Sequence, residues 1–171
     1  DIVLSIETSV TTTGMQDSID LIQLWWSEIG IESEIEVSTR EDFWARAGAN
    51  EVMVATWVTD RGLVPMVDPI YQFPFDERSW MAPAFGMWYK TEGAEGMEPT
   101  DEFKAAMTLY DEYKLTTDPA RQVEIGKEIV RMATENLWTI GTVGLVPNPV
   151  VVKNNFMNVL DYHTADWIIM T

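Results

Sequence analysis

The chain has 171 residues, with 11 Lys+Arg against 28 Asp+Glu for a formal charge of -17, 46% hydrophobic residues, 11% aromatics and no cysteine. That length holds one domain of ordinary size without metal or disulfide staples; the apolar fraction is too high for a disordered acidic tail, and no apolar run approaches the roughly 20 residues that span a bilayer. The charge repels nucleic acid and anionic membrane surfaces and favours cationic or amine-bearing partners, while the lack of cysteine removes disulfide frameworks, thiol nucleophiles and Cys-ligated metal sites.

The chain opens on Asp1-Ile2-Val3-Leu4, with neither an initiator Met nor a basic and apolar leader, as expected of a mature chain or a piece of a longer one. Ile2, Leu4 and Ile6 alternate with Val3 and Ser5, a strand pattern. After Thr11-Thr12-Thr13-Gly14, residues Met15, Ile19, Ile22, Trp26 and Ile29 recur on one helical face, and Gly30 offers a left-handed cap. Ile31 to Val37 puts Ile31, Ser33, Ile35 and Val37 on one face of a strand and Glu32, Glu34 and Glu36 on the other, which reads as a solvated face rather than a cation site. Thr39 is placed to cap a short helix through Phe43, Trp44 and Ala47 that closes at Gly48, and the nearly continuous run Val52 to Val58 predicts a strand covered on both faces. The order strand, helix, strand, helix, strand predicts an α/β sheet, with the third strand at its centre.

Residues 59–98 carry four prolines, four glycines and seven aromatics without a sustained period, as expected of a long functional or mobile segment. The helical period returns at Thr100, with Phe103, Met107, Tyr110 and Lys114 on one side. Asp118-Pro119 then reads as N-cap and first turn of a second helix, completing a C-terminal helical hairpin. In this second helix Val123, Val130, Ala133 and Leu137 form one stripe and Ile125, Ile129 and Met132 a neighbouring one. Trp138 to Val146 and Val150 to Val152 read as short strands. More than half the net charge lies in the first sixty residues, which hold 12 acids and 2 bases.

Catalytic machinery is sparse. The single histidine, His163, has no second His or Cys with which to form a metal site or dyad. Glycine-rich phosphate cradles and nucleophile elbows are absent, and carboxylate pairs are uninformative in so acidic a chain. The expectation is a binding protein without cofactor or metal, with a hydrolase as a remote alternative. The more specific feature is Trp57-Val58-Thr59-Asp60 at the end of the third strand. Ligands of open α/β sheets bind beyond the carboxyl ends of the strands, where Asp60 could pair with an ammonium and Trp57 could cover an apolar group or a sugar face. Core packing of Trp57 and a turn-capping role for Asp60 are equally open on position alone. Trp25, Trp26 and Trp44 read as packing residues on helices, whereas Trp80 and Trp88 in the irregular segment are candidates for recognition.

Four elements in this order resemble the extracellular solute-binding proteins of peptide, oligosaccharide and nickel ABC importers, known as family 5: the helix ending in Leu24-Trp25-Trp26-Ser27-Glu28-Ile29-Gly30-Ile31; Trp57-x-x-Asp60 followed by Asp68-Pro69; Leu109-Tyr110-Asp111-Glu112 with Thr117-Asp118-Pro119; and Val150-Val151-Val152-Lys153-Asn154 with Asn158-Val159. The resemblance implies a periplasmic-binding-protein-like (type II) α/β lobe with a mixed sheet flanked by helices. Residues 1–149 would form most of the C-terminal lobe and residues 150–171 would return toward the other lobe. It further implies a periplasmic or extracellular, membrane-tethered receptor that captures an oligopeptide or dipeptide, pairs its α-amine with Asp60 and delivers it to ABC permease subunits. The spacer Arg61 to Val67 is longer than in peptide-binding members. An oligosaccharide stacked on Trp57, Trp80 and Trp88 is therefore the rival ligand.

Overall fold

The computed structural model describes residues 3–10, 15–58, 65–142, 151, 153–155 and 157. Thr11 to Gly14, Asp60, the strand readings from Val143 to Val146 and at Val150 and Val152, His163 and Trp167 lie outside the described residues.

The N-terminal third alternates as its periodicity predicts: β1 (Val3–Ser9), α1 (Met15–Glu28), β2 (Glu32–Ser38), α2 (Arg40–Gly48) and β3 (Val54–Ala55). β1 and β2 run parallel from Val3↔Glu32 to Ser9↔Ser38, a pairing that requires a crossover, here supplied by α1. Gly30 at φ 84 ends that crossover, and the Ile31 N–H reaches back to the Trp26 carbonyl at 2.9 Å. Ile19 is buried on α1 while Met15, Ile22 and Trp26 are half-buried. Ile29, expected on the same stripe, lies beyond the last helical turn and is exposed. The carboxylate-bearing residues Glu32, Glu34 and Glu36 are exposed along β2.

The strand order is β2-β1-β3, so β1 and not the third strand is central. β3 pairs with β1 only through Ile6↔Val54 and Glu7↔Ala55. Among the described residues its apolar run therefore stands at an edge, with Met53 and Val58 exposed. Burial falls instead on Ile6 to Ser9 of β1, which have a strand on each side. All described pairings are parallel. Residues of β1 alternate between two faces. Thr8 donates from Oγ1 to the Met15 sulfur of α1 at 3.1 Å, whereas Glu7 meets Arg46 of α2, so the two helices cover opposite faces.

Within the stretch that shows no period lies α3 (Pro83–Lys90). It is only eight residues long and holds Pro83 at its start and Gly86 in its middle, both buried, which hides it in a stretch rich in prolines and glycines. Gly86 lies directly on the Asp76 backbone, where a Cβ would come within 2.2 Å of the Asp76 carbonyl oxygen. The turn it packs on is held by Arg78, which donates to both oxygens of Asp68 at 2.9 and 3.0 Å and to Oδ2 and Oδ1 of Asp76 at 2.6 and 3.1 Å. These bonds push the guanidinium pKa further up.

The helical hairpin follows as α4 (Asp101–Leu115) and α5 (Pro119–Glu135), with the Asp118 side chain accepting from the Ala120 N–H. Ala106, Met107 and Tyr110 of α4 meet Ile125 and Ile129 of α5 around Phe73 and Met66, and Tyr110 donates to the Met66 carbonyl at 3.2 Å. Ile125, Ile129 and Ala133 form the buried stripe of α5; Val123, Val130 and Leu137, which carry an equally apolar pattern, face out. Trp138 stacks on Phe103 with centroids 4.4 Å apart, and residues 138–142 form no strand. No helix among the described residues is long and apolar enough to cross a membrane.

Gly86→Ala should destabilise the protein by about 3 kcal/mol, because the added methyl meets backbone that cannot rotate away. Gly30→Ala has open space around it and should lose only about 1 kcal/mol from its positive φ. Urea midpoints of the two variants check this ranking; equal shifts would contradict it.

Candidate functional site

The carboxyl edge of the sheet is built around the exit from β3. Both the N–H and the Oγ1 of Thr56 donate to the Glu7 carbonyl, at 3.0 and 2.9 Å. This fixes the backbone immediately before Trp57 against the central strand. Tyr71 donates to the Val58 carbonyl at 3.2 Å, tying the same exit to the segment after residue 65.

Trp57 then enters an aromatic cluster. Its indole stacks on the fully buried Phe43 of α2, with centroids 5.6 Å apart and planes 10° from parallel. It meets Trp44 edge-to-face at 5.5 Å and Trp80 at 5.7 Å. Trp80 also packs edge-on against Phe43 at 4.9 Å and Trp44 at 5.1 Å. Each such pair contributes about 0.5–1.5 kcal/mol beyond its buried area, so four rings from three segments hold one another in place. The half-buried Trp57, Trp44 and Trp80 leave part of this wall accessible. The Nε1–H of Trp44 is buried without an acceptor among the described residues.

Of the residues singled out from the sequence, Trp57 and Trp80 are brought together. Trp88 is not: it lies on α3 beside the Gly93 turn and makes no ring contact with this cluster among the described residues. Asp60 lies outside the described residues. Trp44, read as a packing residue, packs against both Trp57 and Trp80.

Two arginines complete the edge, and sequence reasoning passed over both. Arg40 begins α2 next to the capping Thr39, whose side chain accepts from the Asp42 N–H. Its guanidinium carbon lies 5.6 Å from the Trp44 centroid and 5.5 Å from that of Trp57. One turn and a half further on, Arg46 forms a two-point pair with Glu7, Nη1 to Oε2 at 2.6 Å and Nη2 to Oε1 at 3.0 Å, and approaches Glu36 at 3.6 Å. Glu7 is 2% exposed. Burial pushes its carboxyl above the usual range, partly offset by Arg46. The signal in the sequence is that Arg40 and Arg46 are the only bases in the first sixty residues, one at each end of a single short helix.

The arrangement can offer an incoming ligand a partly open indole wall and a guanidinium. Among the described residues no group of three or more His, Asp or Glu is placed to hold a metal ion.

No protein-family profile and no curated protein matches the chain. Among solved structures the chain is similar to an oligopeptide-binding protein, OppA, at 25% sequence identity and a TM-score of 0.68, over 80% of this chain and 23% of that one. The chain thus spans about a quarter of that protein's length. The likeness bears out the α/β, periplasmic-binding-protein-like lobe architecture, with helices on a small parallel sheet followed by a helical hairpin.

Arg46→Met should leave Glu7 buried without its cation and destabilise the protein by about 2 kcal/mol at neutral pH, less than for a fully buried pair because Arg46 is partly solvated. Without Arg46 the Glu7 carboxyl rises further, so the folded variant holds a proton that the unfolded chain has released. Stability of the variant should therefore increase, relative to wild type, as pH falls from neutral toward the ordinary glutamate range. Urea unfolding at several pH values measures this. A pH-independent difference would contradict the assignment.

Proposed function

We propose that this chain is one lobe of a two-lobed, exported receptor that captures an oligopeptide and hands it to the permease of an ABC importer, binding without turnover. The observation that carries the reading is the likeness of this fold to an oligopeptide-binding protein. In the proposed arrangement residues 1–149 form the lobe, and residues 150–171 return toward the second lobe, from a receptor tethered at the outer face of the membrane. The cleft would lie at the carboxyl edge of the sheet, in keeping with where ligands of open α/β sheets bind.

Asp60, three residues beyond Trp57, is assigned the ligand's α-amine. Lobe closure excludes water and strengthens that ion pair in the lower-dielectric cleft. Trp57 and Trp80 serve as the apolar wall beside it, and Trp88 is assigned a more distant contact. The rival ligand, an oligosaccharide, needs an open indole face on which to stack. Phe43 covers one face of Trp57, and the Arg40 guanidinium lies over the same indole, which favours the peptide.

Asp60→Asn should weaken binding of a free-amine peptide by about 2 kcal/mol or more, roughly thirtyfold, and N-acetylation of the peptide should cost a similar amount. Titration calorimetry on the full-length protein measures both. Unchanged affinity in both experiments would remove Asp60 from the site.

A further inference from the structure

The outward side of α1 carries a second apolar stripe. Ile19 faces the sheet, with the half-buried Met15, Ile22 and Trp26 beside it. On the opposite side Leu21, Leu24 and Trp25 recur at the three- and four-residue spacing of one helical face, and Ile29 continues it past the last turn. All four are between 47% and 72% exposed. Large apolar side chains grouped in this way mark an interaction surface, whereas scattered single ones do not. A helix apolar on two sides is one that a second partner covers.

Acids rim this stripe. Asp17, Asp20 and Glu28 share its side of the helix, Glu32 and Glu34 stand on the adjoining strand, and all five are exposed. None of the five forms an ion pair among the described residues. On α4 and α5, by contrast, Asp111, Glu112, Glu124, Glu128 and Glu135 each meet a Lys or Arg of their own hairpin. No base occurs before Arg40. Between α1 and β2 lies a groove of about 590 Å³ in which Leu24 stands beside Asp20, Glu32 and Glu34. Gln23 and Ser33 also line it, and the Gln23 amide donates to the Ser33 carbonyl at 2.6 Å, so helix and strand present one fixed surface. Because α1 runs back from the carboxyl end of β1 to the amino end of β2, Trp25 and the groove lie at the opposite end of the sheet from Trp57.

We propose that this face is a docking site for a basic, amphipathic helix of another polypeptide. Its apolar ridge packs on Leu21, Leu24 and Trp25, and its Lys or Arg side chains meet the five carboxylates. A helix laid along a helix and its neighbouring groove is a recurring mode of recognition, and tryptophan is the residue type most often dominant at the centre of such a contact. Charge rejects the other occupants. A second copy sets these carboxylates against their own counterparts across a two-fold axis. Residues 143–171 hold one lysine against two aspartates and bring no excess of cation. Anionic lipid is repelled, and a neutral apolar segment leaves the carboxylates at its rim unpaired.

The test uses the full-length protein and a fluorescein-labelled synthetic helix with leucines on one face and lysines on the other, its affinity followed by anisotropy at physiological salt. Two companion peptides, one with serine for leucine and one with glutamate for lysine, remove the apolar face and the positive charge in turn. Wild type should bind the leucine–lysine helix about tenfold or more tightly than either companion. Leu24→Glu and Trp25→Glu each add a negative charge, so attraction by bulk charge alone predicts tighter binding, whereas loss of the docking face predicts a weakening of about tenfold or more. Val123→Glu, at an exposed apolar position on α5, should leave the affinity unchanged. The double variant Asp20→Lys and Glu28→Lys, which leaves the apolar stripe intact, should lose affinity for the lysine helix and gain it for the glutamate one. No binding by wild type, equal binding of the serine peptide, or undiminished affinity in Leu24→Glu and Trp25→Glu overturns the proposal. So does sedimentation showing a wild-type dimer that Trp25→Glu dissolves, which assigns the face to a second copy.

Discussion

Glu7 is the residue on which the sheet depends. A carboxylate that is 2% exposed in the middle of a three-stranded sheet is tolerated only with a partner, since an unpaired buried charge costs several kcal/mol. Arg46 supplies that partner from α2, and its two-point geometry fixes how the helix lies on the sheet. The backbone of the same residue accepts both hydrogen bonds of Thr56. One residue thus ties the central strand to α2 through its side chain and to the exit of β3 through its carbonyl. The aromatic wall is assembled from those two pieces, Phe43 and Trp44 from the helix and Trp57 from the exit.

The electrostatics of the chain follow two regimes. On the hairpin, ion pairs such as Arg121 with Glu112 and Glu124 lie in water, where each is worth little. Inside, Arg46 and Arg78 are committed to buried or half-buried carboxylates that shape the backbone around them. Arg78 holds the turn against which α3 is pressed so closely that position 86 admits only glycine. Other acids line the exposed side of β2, where Glu36 approaches Arg46, and the outer surface of α1.

What could be read from the sequence was what depends on neighbours a few residues away. Thr39, Gly30 and Asp118-Pro119 mark helix ends by local geometry, and each does so in the structure. That Trp57 follows the end of the third strand was legible because a strand end is a local feature. Strand order was not, because it is decided by pairing between distant segments: among the described residues Val52 to Val58 is the most apolar strand sequence yet sits at an edge, and the polar-looking end of β1, Glu7 to Ser9, is buried at the centre. α3 escaped notice because it is only eight residues long and contains Pro83 and Gly86, residues that locally read as loop. The two stripes of α5 were equally apolar, so only the position of Phe73 and Met66 decides which is core. Arg40 and Arg46 were passed over because what they meet, Trp57 for the one and Glu7 for the other, is distant in sequence and near only once the sheet is assembled.

The perpendicular indoles also make the protein its own optical probe. Trp44, Trp57 and Trp80 lie within 5.1 to 5.7 Å of one another and stand 83° to 89° apart. Transition dipoles that close, and not coplanar, mix into exciton states whose ultraviolet circular dichroism is set by their mutual angle. Since the three rings come from α2, from the exit of β3 and from the turn before α3, each pair reports the docking of two segments on each other, and the summed signal changes when any one of the three shifts.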